Sequence, residues 1–139
     1  MKRLLGTAFL ALAIAACTPY QANQQEDAAK MLDKLYTAID QKDWGTALSL
    51  YGKRFYEEYP RAQWKARLVK LRKRLGHVKG RDLVFSQRDA KYRYDAYIFS
   101  YTVHYEKGDT RDLITIYKAV DEKTGLHIVA HVIKPLKRS

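Results

Sequence analysis

A change in hydrophobic periodicity near Gly80 constrains the fold of this chain more than any other feature of its sequence. Before this point, apolar residues recur every three or four positions, as they do on one face of a helix. After it, apolar and polar residues alternate, as they do in strands with one buried face. Because the two patterns are segregated along the chain, we predict an α+β fold with N-terminal helices packed on a curved antiparallel four-stranded sheet.

Three helices are predicted before Gly80. The first begins near Asn23–Glu26, which has the spacing of a capping box, and ends near Lys42. Asp43 is a suitable N-cap for a second, shorter helix, whose apolar character continues toward Pro60. The third begins at Pro60 and carries an apolar stripe at helical spacing, made of Trp64, Leu68, Leu71 and Leu75.

Four strands are predicted after Gly80, at residues 82–88, 92–105, 113–120 and 126–133. Several of the eleven tyrosines lie in them, as expected for a residue that suits half-buried sheet surfaces. Tyr92 and Tyr94 have the opposite parity to the apolar face of the second strand, which predicts a bulge near Asp95–Ala96. We also predict a turn at Lys107–Asp109 and an end to the last strand at Pro135.

The first sixteen residues have the architecture of an export signal, with a basic start, an apolar run at 4–13 and small residues before Cys17. The apolar run is too short to span a membrane comfortably, since a spanning helix needs about 20 residues. Residues Ile14–Cys17 resemble the lipobox of bacterial lipoproteins. The resemblance implies cleavage between Ala16 and Cys17, and fatty acyl chains such as palmitate on Cys17. The alternative is an ordinary secretory leader with a chance cysteine.

Cys17 is the only cysteine of the chain, so no internal disulfide is available. Thr18 stands where an aspartate retains many lipoproteins at the inner membrane, and the resemblance therefore implies an outer-membrane location facing the periplasm. We expect residues 1–16 to form the signal peptide, 17–25 a lipidated tether, and 26–139 a single α+β domain.

The net charge of +11 predicts anionic partners; removing Lys2 and Arg3 with the signal leaves +9. Together with the export signal, this charge favours lipid head groups, peptidoglycan or an acidic envelope protein over nucleic acid. The third helix carries the densest positive charge. Its candidate docking surface for an anionic partner consists of Arg61, Lys65, Arg67, Lys70, Arg72, Lys73 and Arg74. The alternative is a solvated helix face that only keeps the protein soluble.

Catalytic or metal chemistry finds little support in the sequence. His127 and His131 are expected on one strand face, about 13 Å apart at ~3.3 Å per residue, which is too far for one metal ion. Asp95 lies beside the tyrosine strand, whereas the other aspartates of this region are expected at strand ends or turns (Asp82, Asp89, Asp109 and Asp112). We therefore predict a non-enzymatic protein without metal or cofactor.

Several packing patterns resemble the cone-shaped fold of nuclear transport factor two and its cystatin-like relatives, and especially small exported bacterial proteins of that fold. They are Asp43-Trp44, residues 61–64, Leu75-Gly76, and strand residues 97–105 and 127–131. The resemblance covers residues 26–134. A match at the level of the fold says little about activity. Our leading hypothesis is a lipid-anchored binding or accessory protein of the envelope, such as part of a secretion or toxin system or an inhibitor of one. The alternative is a small-molecule binder or enzyme that uses the interior of the cone, and the oligomeric state stays open.

Overall fold

A computed structural model describes residues 24–91, 94–119 and 125–137. In these residues, four helices precede four strands. The helices are α1 (Gln24–Asp40), α2 (Trp44–Ser49), α3 (Lys53–Glu58) and α4 (Arg61–Leu75). The strands are β1 (Val78–Lys91), β2 (Tyr94–Tyr105), β3 (Gly108–Ala119) and β4 (His127–Leu136). The predicted α+β class is confirmed, and no helix in the described ranges is both long and apolar enough to cross a bilayer.

The helix signals of the sequence are largely correct. Asp43 caps α2, since its carboxylate accepts a hydrogen bond from the backbone N–H of Thr46 at 3.2 Å. Gly76 ends α4 with a φ of 80°, in the left-handed region that favours glycine. Pro60 is the N-cap of α4 rather than its first residue. The predicted cap at Asn23 lies outside the described residues.

The region predicted as one short second helix contains two helices, α2 and α3. A parallel bridge between Tyr51 and Ile128 separates them, because it draws the intervening backbone onto strand β4. Gly52 permits this approach: a Cβ at this position would lie 2.9 Å from the Cβ of His127.

The strands form a single antiparallel sheet in the order β1-β2-β3-β4. The inner face packs against the helices, and the outer face carries exposed side chains such as Leu113 and Val132. Strand β2 buries the predicted alternating set on the inner face, namely Tyr97, Phe99, Tyr101, Val103 and Tyr105. From the helices, the core receives α1 and α4 side chains that include Leu32, Leu35, Ile39, Trp64 and Leu68.

Three details of the strand predictions are wrong. The β1–β2 register is continuous at Asp95 and Ala96; the bulges of this pair lie in β1, where Lys79 and Val84 have no partner. The turn after β2 consists of Glu106 and Lys107, so β3 begins at Gly108. Strand β4 continues through Pro135, because at the edge of a sheet the missing proline N–H costs no ladder bond.

Candidate functional site

The early start of β3 moves Asp112 from its predicted place just before a strand to a place inside that strand. It pairs with Tyr101 on one side and with Ile133 on the other, and its residue is 1% exposed. The expectation that it lies at a strand end is therefore wrong. A signal for this position exists in the sequence, because Asp112 has the same parity as the buried Ile114 and Ile116.

A bulge in β4 places His131 on the same inner face. Thr115 pairs with Ala130 and Ile116 pairs with Ile128, so Val129 is left without a partner. The extra residue reverses the alternation of side chains between His127 and His131. His131 is therefore buried opposite Ile114, whereas His127 lies opposite Tyr117, and the prediction that the two histidines share a face is wrong.

Five side chains meet around the Asp112 carboxylate, from α1, β3, β4 and the connection between α2 and α3. They form what we call the interior polar cluster: Tyr36, Tyr51, Thr110, Asp112 and His131. The carboxylate accepts hydrogen bonds from the Tyr36 hydroxyl at 2.6 Å and the Thr110 hydroxyl at 2.7 Å. His131 Nε2 lies 2.9 Å from it, and the Tyr51 hydroxyl lies 2.8 Å from His131 Nδ1. If His131 donates through Nε2, Tyr51 donates to Nδ1 and every polar atom of the chain of contacts is satisfied.

The cluster keeps Asp112 ionised. Burial by itself would raise the pKa of this carboxyl, but the hydrogen bonds from His131, Tyr36 and Thr110 outweigh the burial, so the pKa is lowered. The same burial, together with the Asp112 charge, raises the pKa of Tyr36 well above its ordinary value. Burial is also the main cause of the raised pKa of Tyr51.

Aromatic rings pack around the interior polar cluster on its His131 side. Tyr51 stacks on His131 at 6.1 Å between ring centroids, and Trp64 lies 5.5 Å from the same imidazole. Phe55 packs against both Tyr51 and Trp64. The side chains of His131 and Asp112 are 0% and 1% exposed. A general acid that works at neutral pH needs a raised pKa, whereas the pKa of Asp112 is lowered. Together with the surrounding aromatic rings, this favours a structural role for the cluster.

The predicted basic surface on α4 loses one member in the structure. Arg72 is 6% exposed, and its guanidinium donates through Nε and Nη2 to the backbone carbonyl of Asp40 at the end of α1. The same Nη2 also lies 2.9 Å from His77 Nδ1. Arg72 therefore satisfies the carboxyl end of α1 and is not available to a partner.

Three other cations of the set line a hollow between α4 and β4, which we call the basic groove. Arg67, Lys70 and Arg74 stand along one side of α4, and the apolar wall consists of Leu71, Ile133 and Pro135. The volume is about 290 Å³. Arg67 Nη2 lies 3.4 Å from the Ile133 carbonyl oxygen, and the guanidinium lies over the Trp64 ring, 5.3 Å from its centroid. Lys70 and Arg74 form no ion pair with any residue that the structure describes.

The remaining predicted members lie apart from the groove. Arg61 is exposed at the start of α4, with its guanidinium 5.5 Å from the Tyr56 ring centroid. Lys65 is exposed, and Lys73 borders a separate hollow beside Trp44. Asp95 is neutralised by Arg88 at 3.1 Å. Ala16 and Cys17, the predicted cleavage and lipidation site, lie outside the described residues.

A second histidine cluster lies on the outer face of the sheet, and we call it the outer histidine cluster: Asp82, His104 and Asp109. His104 Nε2 is 2.8 Å from Asp82, and its Nδ1 is 3.2 Å from Asp109. These hydrogen bonds raise the pKa of His104. Within ranges 24–91, 94–119 and 125–137, no group of three or more His, Cys, Asp or Glu residues is arranged to hold a metal ion.

Solved structures that resemble this fold include a member of the nuclear transport factor two-like (NTF2-like) family. This member is a proposed dehydratase from Streptomyces avermitilis, with a TM-score of 0.59 and 11% identity over 84% of this chain and 99% of that one. A second similar structure is that of Bd1075 of Bdellovibrio bacteriovorus, with a TM-score of 0.57 and 13% identity over 82% of this chain. This chain spans only 41% of the length of Bd1075. No protein-family model and no curated protein matches the sequence. The NTF2-like architecture is thus supported at the level of the fold.

Proposed function

We propose that this chain is a lipid-anchored binding module of the bacterial envelope, whose basic groove holds an acidic segment of a partner protein. The observation that carries the proposal is the convergence of Arg67, Lys70 and Arg74 on one hollow with an apolar wall. Two of these cations have no partner among the described side chains, so their charge is available.

The dimensions of the groove favour a small anionic group. A volume of about 290 Å³ is at the lower end of ligand sites, which measure roughly 300–1,000 Å³. One or two acidic side chains fill such a space, with their stems against Leu71 and Ile133 and their carboxylates among the cations. A component or toxin of a secretion system with an exposed acidic segment is one partner of this kind.

The anchoring half of the proposal rests on the lipobox resemblance of Ile14–Cys17. Two or more acyl chains hold a protein stably on a bilayer, since each buried methylene contributes about 0.8 kcal/mol. The charge of +9 that remains after cleavage suits an anionic surface or partner in the envelope. We place the anchor in the outer membrane and the domain in the periplasm.

Charge removal in the groove tests the proposal. The variant Arg67→Gln/Lys70→Gln/Arg74→Gln is compared with Lys34→Gln/Lys53→Gln/Lys107→Gln, which removes the same charge from exposed sites elsewhere. The probe is a labelled hexaglutamate peptide, titrated at several salt concentrations. We expect the groove variant to bind about tenfold more weakly, because three exposed ion pairs contribute about 0.5 kcal/mol each.

Equal weakening of binding in both triple variants would mean that the peptide senses only net charge, and the groove proposal would be abandoned. A thermal melt of each variant checks that the fold is intact, since Arg67 also contacts Ile133 and Trp64. Intact mass measurement of the chain purified from bacterial membranes tests the anchor separately. An unmodified Cys17 would refute the lipid anchoring.

The interior polar cluster supports a second candidate function, a small-molecule enzyme. Asp112 and His131 are an acid–base pair in direct contact on an NTF2-like fold, and a proposed dehydratase has that fold. We rank this candidate below the binding module, because the Asp112–His131 pair is buried and the pKa of Asp112 is lowered. If a screen of small hydroxylated substrates finds turnover, this candidate predicts that Asp112→Asn abolishes it and that the groove variant does not.

A further inference from the structure

Three consecutive apolar residues of β1 are exposed, and we call them the β1 wedge: Leu83, Val84 and Phe85. Their exposed fractions are 54%, 47% and 47%. Leu83 lies opposite the inward-facing Tyr101, Phe85 lies opposite Ser100 on the outer face, and the unpartnered Val84 forms the bulge between them. The three side chains therefore surround the edge of the sheet from both faces. Runs of this kind are unfavourable in water unless they contact something.

The β1 wedge lies beside the start of α1. The side-chain amide of Gln25 donates to the hydroxyl of Ser86 at 3.2 Å, one residue beyond Phe85. The seven residues 17–23 precede Gln24, and Cys17 is the first of them. A chain of seven residues extends at most about 24 Å. A lipid on Cys17 would therefore keep this edge of the sheet close to the bilayer surface.

We propose that the β1 wedge inserts into the surface of the bilayer that carries the lipid anchor, and so fixes the orientation of the domain. The inference rests on the proposed anchoring at Cys17. An apolar tip of this size reaches roughly 5–10 Å into the boundary between head groups and acyl chains. Strand β4 is three strands away, about 14 Å at ~4.8 Å per strand, so the basic groove stays free for its partner.

The alternative is that a second copy of the chain covers the β1 wedge. Edge-to-edge pairing needs an unbroken row of backbone N–H and C=O groups, and the bulge at Val84 interrupts that row at the β1 wedge. The net charge of +9 on the cleaved, anchored chain also opposes self-association. Both observations favour a lipid surface.

The insertion is driven by apolar contact rather than by charge. The two arginines nearest to the β1 wedge in the sequence are each paired with an aspartate: Arg81 with Asp33, and Arg88 with Asp95. Their charges are therefore largely neutralised toward the head groups. Salt should weaken binding at the basic groove but leave insertion of the β1 wedge nearly unchanged.

The test places a fluorescent reporter in the β1 wedge of the full chain. Phe85→Trp is compared with Val132→Trp, a similarly exposed position (43%) on the far edge strand. Each protein is produced in a bacterial host that lipidates lipoproteins, and is reconstituted into phosphatidylethanolamine–phosphatidylglycerol vesicles with or without brominated acyl chains. The wild-type emission of Trp44 and Trp64 is subtracted. We expect the Phe85→Trp reporter to lose about half of its added emission, at low and high salt, and the Val132→Trp reporter to lose almost none.

Each outcome decides the inference. Quenching confined to Phe85→Trp supports it. Equal quenching of both reporters, or none, overturns it while leaving the lipid anchor intact, as mass measurement of Cys17 would show. A dimer found by sedimentation of the detergent-solubilised chain, and lost in Leu83→Ser/Phe85→Ser, overturns it in favour of a second copy. An unmodified Cys17 removes the proposed anchoring and the inference with it.

Discussion

The two faces of the sheet carry the same chemical group in opposite surroundings. On the inner face, His131 lies between Asp112 at 2.9 Å and Tyr51 at 2.8 Å. On the outer face, His104 lies between Asp82 at 2.8 Å and Asp109 at 3.2 Å. The distances are similar, but the side chain of His131 is 0% exposed and that of His104 is 38% exposed.

Burial decides what each arrangement contributes to stability. Around His104, water competes for every donor and acceptor, so the ion pairs are screened and easily replaced. Around His131, no described route brings water to the polar atoms, and loss of one partner leaves another unsatisfied in a nonpolar surrounding. Substitutions in the interior polar cluster should therefore destabilise the fold, whereas the outer histidine cluster should tolerate several substitutions.

The largest effect is expected for Asp112→Asn. The variant replaces the charged carboxylate, which accepts three hydrogen bonds, with a neutral amide. Tyr36 and His131 are then left with a poorer acceptor. Breaking a buried pair of this kind costs about 3–5 kcal/mol of unfolding free energy, measured by urea denaturation. The control, Asp82→Asn, alters the carboxylate bound to His104 and should change that free energy by less than about 1 kcal/mol. Similar losses in both variants would contradict the comparison.

A smaller loss is expected for Tyr36→Phe. This variant removes the 2.6 Å donor to the Asp112 carboxylate, and a hydrogen bond to a charged group contributes about 1.5–3 kcal/mol. The double variant Tyr36→Phe/Asp112→Asn should lose less than the sum of the two single losses, because both remove the same contact. Strict additivity in denaturation would show that Tyr36 and Asp112 act independently.

Acidification should destabilise the protein through Asp112. Its folded pKa is below the ordinary value, so the unfolded chain binds a proton more readily than the folded one. The stabilisation is present above the unfolded pKa and is lost as the pH falls through the folded pKa. Denaturation midpoints between neutral and strongly acid pH measure this slope. Asp112→Asn should have a shallower slope, and an unchanged slope would assign the acid sensitivity to other carboxyls such as Asp40 or Glu106.

The smallest effect is expected for His104→Gln, less than about 1 kcal/mol after screening by solvent. The pKa of His104 is raised in the folded state, so its contribution is present below the unfolded pKa and fades as the pH rises through the folded pKa. Denaturation at mildly acid and mildly alkaline pH should therefore show a difference from wild type only under the acid condition. A larger loss at alkaline pH would reverse the assigned sign.

The sequence predicted those features that depend on neighbours along the chain. The α+β class, the Asp43 cap, the Gly76 helix end and the buried alternation in β2 all follow from local periodicity or local backbone chemistry. The burial of Arg72 could not be read this way. It depends on the carbonyl of Asp40, which lies 32 residues away in the chain.

The interior polar cluster is the clearest feature that local sequence patterns could not predict. Periodicity identifies which residues share a face only while the register is regular, and a single unpartnered residue at Val129 reverses that assignment for His131. Only the pairing of β4 with β3 decides where this extra residue lies, because backbone hydrogen bonds between strands are nonlocal. The sequence by itself therefore determined that helices cover one face of a four-stranded sheet. The tertiary structure decided which polar side chains meet beneath them.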